Sequence, residues 1–525
     1  MNRSTLPLAL LIAGGLALAA QEPAPISLSP ANMTKLGTVD ARYVSYNVEM
    51  VEVTGGRFWK PYKSAADSQA SPKPPAPADA NQQVGLNPAL FQYRPPINLA
   101  NPRLRKLAQA LGPSYVRVSG SWANSTFFQD DDQAALAEPP KGFRGVLTRA
   151  EWKGVVDFVR ATGGEIVTSV AISPGTRDAG GAWSPAQAKA FFDFTRTVGG
   201  NIAATEFMNE PTFPGPGGAP PGYDARAFAR DAKIFAAFLR KESPPTLYLG
   251  PGSVGEGLSL APGGMKIKLL ESDDLLKSTG PIFDAFSYHF YGSVSRRCMG
   301  NTSVDMALTG EWLDRTDTVE AFYAGLRDKY IPGKPMWLTE TAEAACGGDP
   351  IAGQFVDTFR YLNQLGALAR KGVKVVMHNT LASSDYGLLD EDTLEPRPDY
   401  WAALLWKSTM GDVVLDAEAG KDAKVRIYAH CAKGGHGAVA LVALNTDPQH
   451  GQVLTLPQPA ERLTITALEL TSTKVLLNGK ELDADGDGTV SAFRGEHVAA
   501  GMVRLPPASV TFLTIPAAGN KSCTP

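Results

Sequence analysis

Neither sign of charge dominates this 525-residue chain: 50 lysines and arginines stand against 53 aspartates and glutamates, a formal net charge of −3. That balance removes any bulk electrostatic reason to expect nucleic acid or an anionic membrane as partner. Long apolar runs are missing too. The run at residues 6–18 is short of the roughly 20 residues a membrane span needs. With Arg3 before it and Ala17-Leu18-Ala19 at its end, it reads as a cleavable leader over residues 1–20. No cysteine follows it, so a lipid anchor is not indicated. The expectation is an exported protein, periplasmic or extracellular, with no membrane span once mature. Cysteine is scarce: Cys298, Cys346, Cys431 and Cys523 are the four present, and their spacing fits no zinc site. In an oxidising compartment four cysteines allow three disulfide connectivities. A Gly-rich phosphate loop after the first strand is also lacking, which weighs against an open doubly wound nucleotide-binding sheet.

Eight apolar segments alternate with amphipathic stretches between residues 41 and 411. They lie at 42–50, 114–121, 165–173, 202–210, 246–254, 285–292, 335–342 and 373–380. Eight strands, each followed by a helix or long loop, is the count of an α/β chain forming a (β/α)₈ TIM barrel. Beyond 411 the texture changes to short β segments separated by turns, so 412–516 reads as a C-terminal β-sandwich domain, with 517–525 as a tail. Residues 24–38 are expected to add a strand to that sandwich. The Pro/Ala/Ser-rich stretch 61–86 falls in the loop after the first strand, on the rim where such barrels work. "DADGDGT" at 483–489 resembles the start of a calcium loop, but the twelfth position is Arg494, so a hairpin turn is expected and no metal. Loops after strands six and seven are neighbours in a barrel, which suggests Cys298–Cys346. Cys431–Cys523 would then tie an early sandwich strand to the tail.

Catalytic groups of a barrel collect at the C-terminal ends of its strands. Asn209-Glu210-Pro211 closes strand four, and Glu340 closes strand seven. Period-2 alternation groups Glu206 with Met208 and Glu210, and Met336 with Leu338 and Glu340, and so turns both terminal carboxylates inward. Two carboxylates across one cleft are what glycoside hydrolysis with retention needs, one as nucleophile and one as acid, then base. His289 and Tyr291 end strand six, where a tyrosine can hold the nucleophile by a hydrogen bond.

Three stretches, "LGPSYVRVSGS" (111–121), "MWLTETAEAACGGDP" (336–350) and "KVVMHNTLASSDYGLLDEDTLEPRPDYWAALLWK" (374–407), carry a narrower likeness. In these the chain resembles the heparanase and β-glucuronidase family, glycoside hydrolase family 79, from about residue 25 to the end. The resemblance implies hydrolysis of β-linked glucuronic acid, without a cofactor. It places Glu210 as acid/base, Glu340 as nucleophile, Asn209 on the sugar 2-hydroxyl and Glu49 on other glycon hydroxyls. Gly347 and Tyr386 would hold the uronate carboxylate. A neutral pair of donors is expected there, because an arginine beside Glu340 would blunt its nucleophilicity. Two departures stand out: Cys346-Gly347-Gly348 replaces a Gly-Gly-Gly run, and Arg117-Val118-Ser119-Gly120 replaces Arg-x-Gly-Gly.

The sequence therefore points to an exported, monomeric retaining glycosidase. Its substrate would be an oligo- or polysaccharide, or a glucuronide conjugate, bearing β-linked glucuronic acid. Two alternatives stay open: a barrel glycosidase acting on xylosides or arabinosides, and a catalytically silent carbohydrate-binding protein.

Overall fold

The computed structural model describes residues 25–62, 88–258, 269–417 and 424–524. The leader at 1–20 and most of the Pro/Ala/Ser-rich stretch lie outside them.

Eight parallel strands close into a barrel in sequence order. They are β1 (Val44–Glu49), β2 (Tyr115–Ser119), β3 (Glu165–Thr168), β4 (Ile202–Glu206), β5 (Leu247–Ser253), β6 (Ala285–Val294), β7 (Met336–Ala345) and β8 (Val375–His378). Pairing of β8 with β1 completes the ring. Helices between strands start where the sequence caps them. Thr148 and Glu151 form a capping box ahead of Arg149–Ala161, and the Asp224 carboxylate accepts two N–H groups opening Ala225–Glu242.

Inside the barrel, one apolar layer is built from Tyr115, Val167, Ala204, Leu249, Ala285, Trp337, Val375 and Met377. Two residues further along the same strands the lining becomes polar: Arg117, Glu206, Ser287 and Thr339, all fully buried. A strand turns every second side chain inward, so the step from apolar floor to polar chamber is written in residues two apart. That floor keeps water from entering the chamber from below.

After the helix Pro398–Thr409, strand β9 (Met410–Leu415) begins at once, because Gly411 can lie against the Cys431 carbonyl where a Cβ would come within 2.7 Å. It opens a nine-stranded sheet, and a three-stranded sheet faces it. The segment 25–38 serves both: Ile26–Ser27 pairs with Gln452–Leu456, and Lys35–Thr38 pairs with β9. Leu441, Ala443, Leu454, Leu505, Leu513 and their neighbours fill the space between the sheets. Tyr428, from the opposite face of the large sheet, packs on Gly366 of the barrel helix Asp357–Arg370, where any Cβ would overlap its ring at 2.1 Å. The two domains thus share one buried interface. The tail is tied into the sandwich: the Asn520 amide donates to the Pro30 and Met33 carbonyls, and Cys523 is bonded to Cys431. The 483–489 segment makes a tight turn, with Gly488 N–H donating to the Asp485 carbonyl at 2.7 Å and the Lys106 ammonium on the Asp487 carboxylate. Among the described residues no paired strands flank it, so it is not the hairpin expected.

Candidate functional site

Both terminal carboxylates reach the chamber, but not by simple alternation. Strand β4 ends at Glu206, and Phe207 and Met208 pack into the main hydrophobic core. Glu210 turns inward because it adopts a left-handed backbone, φ 50°. Asn124 clamps the peptide before it, accepting from Asn209 N–H at 2.9 Å and donating to Asn209 C=O at 2.9 Å. On β7, Met336 and Leu338 face the outer core while Trp337 lies in the barrel floor. Between Tyr288–Leu338 and His289–Glu340 the register slips by one residue. This bulge places Thr339 and Glu340 both inward: Thr339 Oγ1 donates to Glu206 at 2.8 Å, and Glu340 meets Arg117 at 2.8 Å. Strict alternation from Met336 would have predicted the wrong faces for the strand's earlier residues.

Arg117 is the hub. Its guanidinium donates to Glu206 at 2.8 and 3.1 Å, to Glu340 Oε2 at 2.8 Å and to Asn209 Oδ1 at 2.8 Å. The expectation of no arginine beside Glu340 is therefore overturned. The guanidinium arrives already forked onto Glu206, so Glu340 faces a cation whose charge is shared with a second carboxylate. Burial alone would raise the Glu206 pKa, but Arg117 and His289 outweigh it and hold the group well below the usual carboxylate range.

Glu340 has both oxygens engaged, since Tyr291 donates to Oε1 at 2.6 Å. Among the described residues, the Glu210 carboxyl lies against the His289 side chain, with Nδ1 at 3.1 Å from Oε1. Burial and the nearby Glu340 raise the Glu210 pKa, against a lowering from His289. Burial works to lower the His289 pKa, yet the surrounding carboxylates, led by Glu340, raise it to about 9. His289 is wedged between Glu206, Glu210 and Glu340, with Arg117 Nη2 3.2 Å from its Nε2.

Glu49 ends β1 and starts a one-turn helix by a reciprocal capping box with Glu52. Its carboxyl occupies the space a Cβ on Gly120 would need, 1.6 Å from Oε2. Burial, with Glu340 nearby, raises its pKa well above the ordinary value. Across the chamber, Cys346, Gly347 and Gly348 have φ of 63°, 84° and 79°. A Cβ on Gly347 would strike Trp59 at 2.5 Å. Cys346 takes the left-handed position without being glycine, and it is disulfide-bonded to Cys298. Among the described residues, the Gly347 and Gly348 N–H groups meet no protein acceptor. Asn379 Nδ2 donates to the Tyr291 hydroxyl at 3.1 Å and to the Tyr386 hydroxyl at 3.2 Å. Each phenol is left to spend its own proton elsewhere: Tyr291 on Glu340, Tyr386 on whatever enters.

Ligand atoms of Glu210, His289 and Glu340 lie within 4.8 Å of one another, a spacing a metal ion could use. The Arg117 guanidinium, 2.8 Å from Glu340 and 3.2 Å from His289 Nε2, opposes a divalent cation there. Next to Asn209, whose Nδ2 is 3.4 Å from Ser121 Oγ, Ser121 and Trp122 open onto a groove of about 350 Å³ that is also lined by Arg57, Tyr93 and Arg144.

Sequence reasoning places Arg117 only within a strand motif and assigns no role to Glu206, Asn124 or Asn379. A buried arginine two residues along from an apolar floor residue was the available signal for the first.

The profile of the glycosyl hydrolase family 79 N-terminal domain matches residues 95–366. Heparanase-like protein 1 of Arabidopsis thaliana is 27% identical over 376 residues, 67% of this chain and 65% of that protein. Baicalin-beta-D-glucuronidase of Scutellaria baicalensis is 30% identical over 311 residues, 56% of each. Hyaluronoglucuronidase of Hirudo nipponia is 26% identical over 437 residues, 74% of this chain and 85% of that protein. The chain spans about half to two thirds of the length of the first two of these and of the Gallus gallus heparanase. Among solved structures, a 4-O-alpha-L-rhamnosyl-beta-D-glucuronidase from Fusarium oxysporum superposes with a TM-score of 0.60 at 13% identity, covering 94% of this chain and 99% of that one. The GH51 arabinofuranosidase of Xanthomonas axonopodis pv. citri gives 0.59 at 15% identity, with the same coverage. At such identities the likeness is one of fold. The family match takes in more than half of the chain, including Arg117, Asn209, Glu210, His289 and Glu340, and on that ground this chain belongs to glycosyl hydrolase family 79.

Proposed function

We propose that the protein is an exported glycoside hydrolase that cleaves β-linked glucuronic acid with retention. The observation that carries the reading is the carboxylate pair: an oxygen of Glu210 lies within 4.8 Å of one of Glu340. Retaining enzymes hold their carboxyl groups about 5–5.5 Å apart, whereas inverting ones leave about 6.5–9.5 Å for a water. Glu340, oriented through both oxygens, attacks the anomeric carbon as Glu210 passes its proton to the departing oxygen. Water then attacks the glycosyl–Glu340 ester while Glu210, now a carboxylate, takes the water's proton. Arg117 and Tyr291 keep Glu340 from rotating away, and Asn209, held by Asn124, faces the sugar 2-hydroxyl.

Uronate recognition falls to the Gly347 N–H and the Tyr386 hydroxyl, with Glu49 on other hydroxyls. Names of relatives support the substrate class: baicalin glucuronide in one, hyaluronan in another. The export reading is supported by the leader-like residues 1–20 and by two disulfides, which persist in oxidising compartments.

Tyr386→Phe tests the substrate class. Losing one hydrogen bond to a charged group, roughly 1.5–3 kcal/mol, should lower kcat/KM for an aryl β-glucuronide about 10- to 150-fold. The matching xyloside, which lacks the carboxylate, should lose little. Equal losses would assign Tyr386 to holding Asn379 and Tyr291 instead. Preference of the wild-type enzyme for the xyloside would overturn the glucuronidase reading.

A further inference from the structure

The two donors assigned to the uronate sit on different loops, Gly347 after β7 and Tyr386 after β8. Their spacing decides whether one carboxylate can take both, so whatever joins the loops governs selectivity. One direct bond joins them, Asp385 N–H to the Gly347 carbonyl at 3.1 Å, and four consecutive residues after β6 brace the loops from behind. Ser295 Oγ and Arg296 N–H hold the Asp349 carboxylate at 3.1 and 2.8 Å, and Cys298 is bonded to Cys346. Those three ties reach the β7 loop alone. Arg297 reaches further: its Nη2 is 3.4 Å from the Gly348 carbonyl and pairs with the Asp385 carboxylate, while Nη1 donates to the Lys60 carbonyl.

Arg297 is itself held in place. Its guanidinium lies 4.1 Å from the centre of the Tyr62 ring, and its backbone N–H donates to the Tyr62 hydroxyl at 2.9 Å. Tyr62 N–H in turn donates to Asp385 at 3.1 Å, and Asp385 N–H donates to the Gly347 carbonyl at 3.1 Å. Guanidinium, carboxylate and ring form one buried knot behind the proposed grip, with Arg297 only 7% exposed. A planar fork with several donors can serve two loops at once, and a lysine ammonium cannot match that geometry.

We propose that Arg297 is a positioning residue for uronate selectivity, setting the distance between Gly347 N–H and the Tyr386 hydroxyl by bridging Gly348 and Asp385. The inference rests on the uronate reading above. Arg297 has no contact with Glu210 or Glu340, so its removal should act on binding of the carboxylate and leave bond cleavage nearly untouched.

Kinetics of Arg297→Met on an aryl β-glucuronide and the matching aryl β-xyloside test this. Misplacing a recognition group by a fraction of an ångström is expected to cost on the order of 10- to 100-fold in kcat/KM for the glucuronide, carried mostly by KM. The xyloside constants should stay close to wild type, and Arg297→Lys should fall between the two proteins. If Arg297→Met does not accumulate as folded protein, Arg297→Met with Asp385→Asn removes both buried charges and carries the same comparison. Equal losses on the two substrates, or no loss on the glucuronide, would overturn the proposal while a glucuronide-preferring wild type kept the uronate reading. A wild type that prefers the xyloside would remove the reading and the proposal together.

Discussion

Glu340→Gln is expected to abolish turnover, with a loss on the order of 10⁴-fold or more, because the attacking oxygen is replaced by an amide that cannot form the ester. Its folded stability should change far less than its activity, since the amide oxygen can still accept from Arg117 or Tyr291. Glu210→Ala should behave differently. On a substrate with a poor leaving group the loss of the acid should cost roughly 10²–10⁴-fold. With an activated aryl leaving group the first step needs no proton, so release of the sugar from Glu340 becomes limiting. Azide, which needs no general base and fits the space of the missing side chain, should then restore part of the rate and yield a β-glycosyl azide. Near wild-type activity without azide would remove Glu210 from its role, and an α-azide product would contradict retention.

The same pair sets the pH profile. Glu210 must carry its proton when the substrate arrives, and burial with Glu340 close by raises its pKa above the ordinary carboxylate value. Activity should decline on the alkaline side as that proton leaves. The limbs of the bell belong to the coupled carboxylates together. A rate still rising at pH 9 would exclude the assignment.

Arg117→Met is the substitution expected to damage the fold most. It strands the buried carboxylates of Glu206 and Glu340, fully buried and 6% exposed respectively, without their shared cation. Breaking a buried pair in this way costs about 3–5 kcal/mol. The midpoint of urea unfolding should fall markedly, and adding Glu206→Gln should recover part of the loss by removing one orphaned charge. A single variant that melts with the wild type would mean that water or His289 compensates. His289 adds a pH dependence with a definite sign. Its folded pKa, about 9, lies above its ordinary 6.5, so its stabilisation is complete below pH 6.5 and is lost as the pH rises through 9.

How much of this was legible in the residues can be followed along two strands. Apolar runs bounded by turns placed all eight barrel strands, because burial against helices on one side and a packed floor on the other demands apolar residues over a strand's length. Asn209-Glu210-Pro211 and Glu340 declared themselves as charges at the ends of such runs, where only function or a buried partner accounts for a carboxylate. Cys298 and Cys346 were neighbours once the strands were counted. Which way Glu210 and Glu340 face was another matter. Alternation holds only while a strand is regular, and a left-handed residue at 210 and a one-residue bulge at 339–340 both break it. Neither leaves a local signature, since each is stabilised by partners far away in the chain: Asn124 for the first, Glu206 and Arg117 for the second. Arg117 could be placed on its strand, but its fork onto Glu206, Glu340 and Asn209 spans 89 to 223 positions of sequence. The sequence by itself determined the barrel and the residue types at its mouth, through local periodicity and the cost of burying charge. Only the closing of the barrel decided which of those charges meet, because that depends on strand register summed around the whole ring.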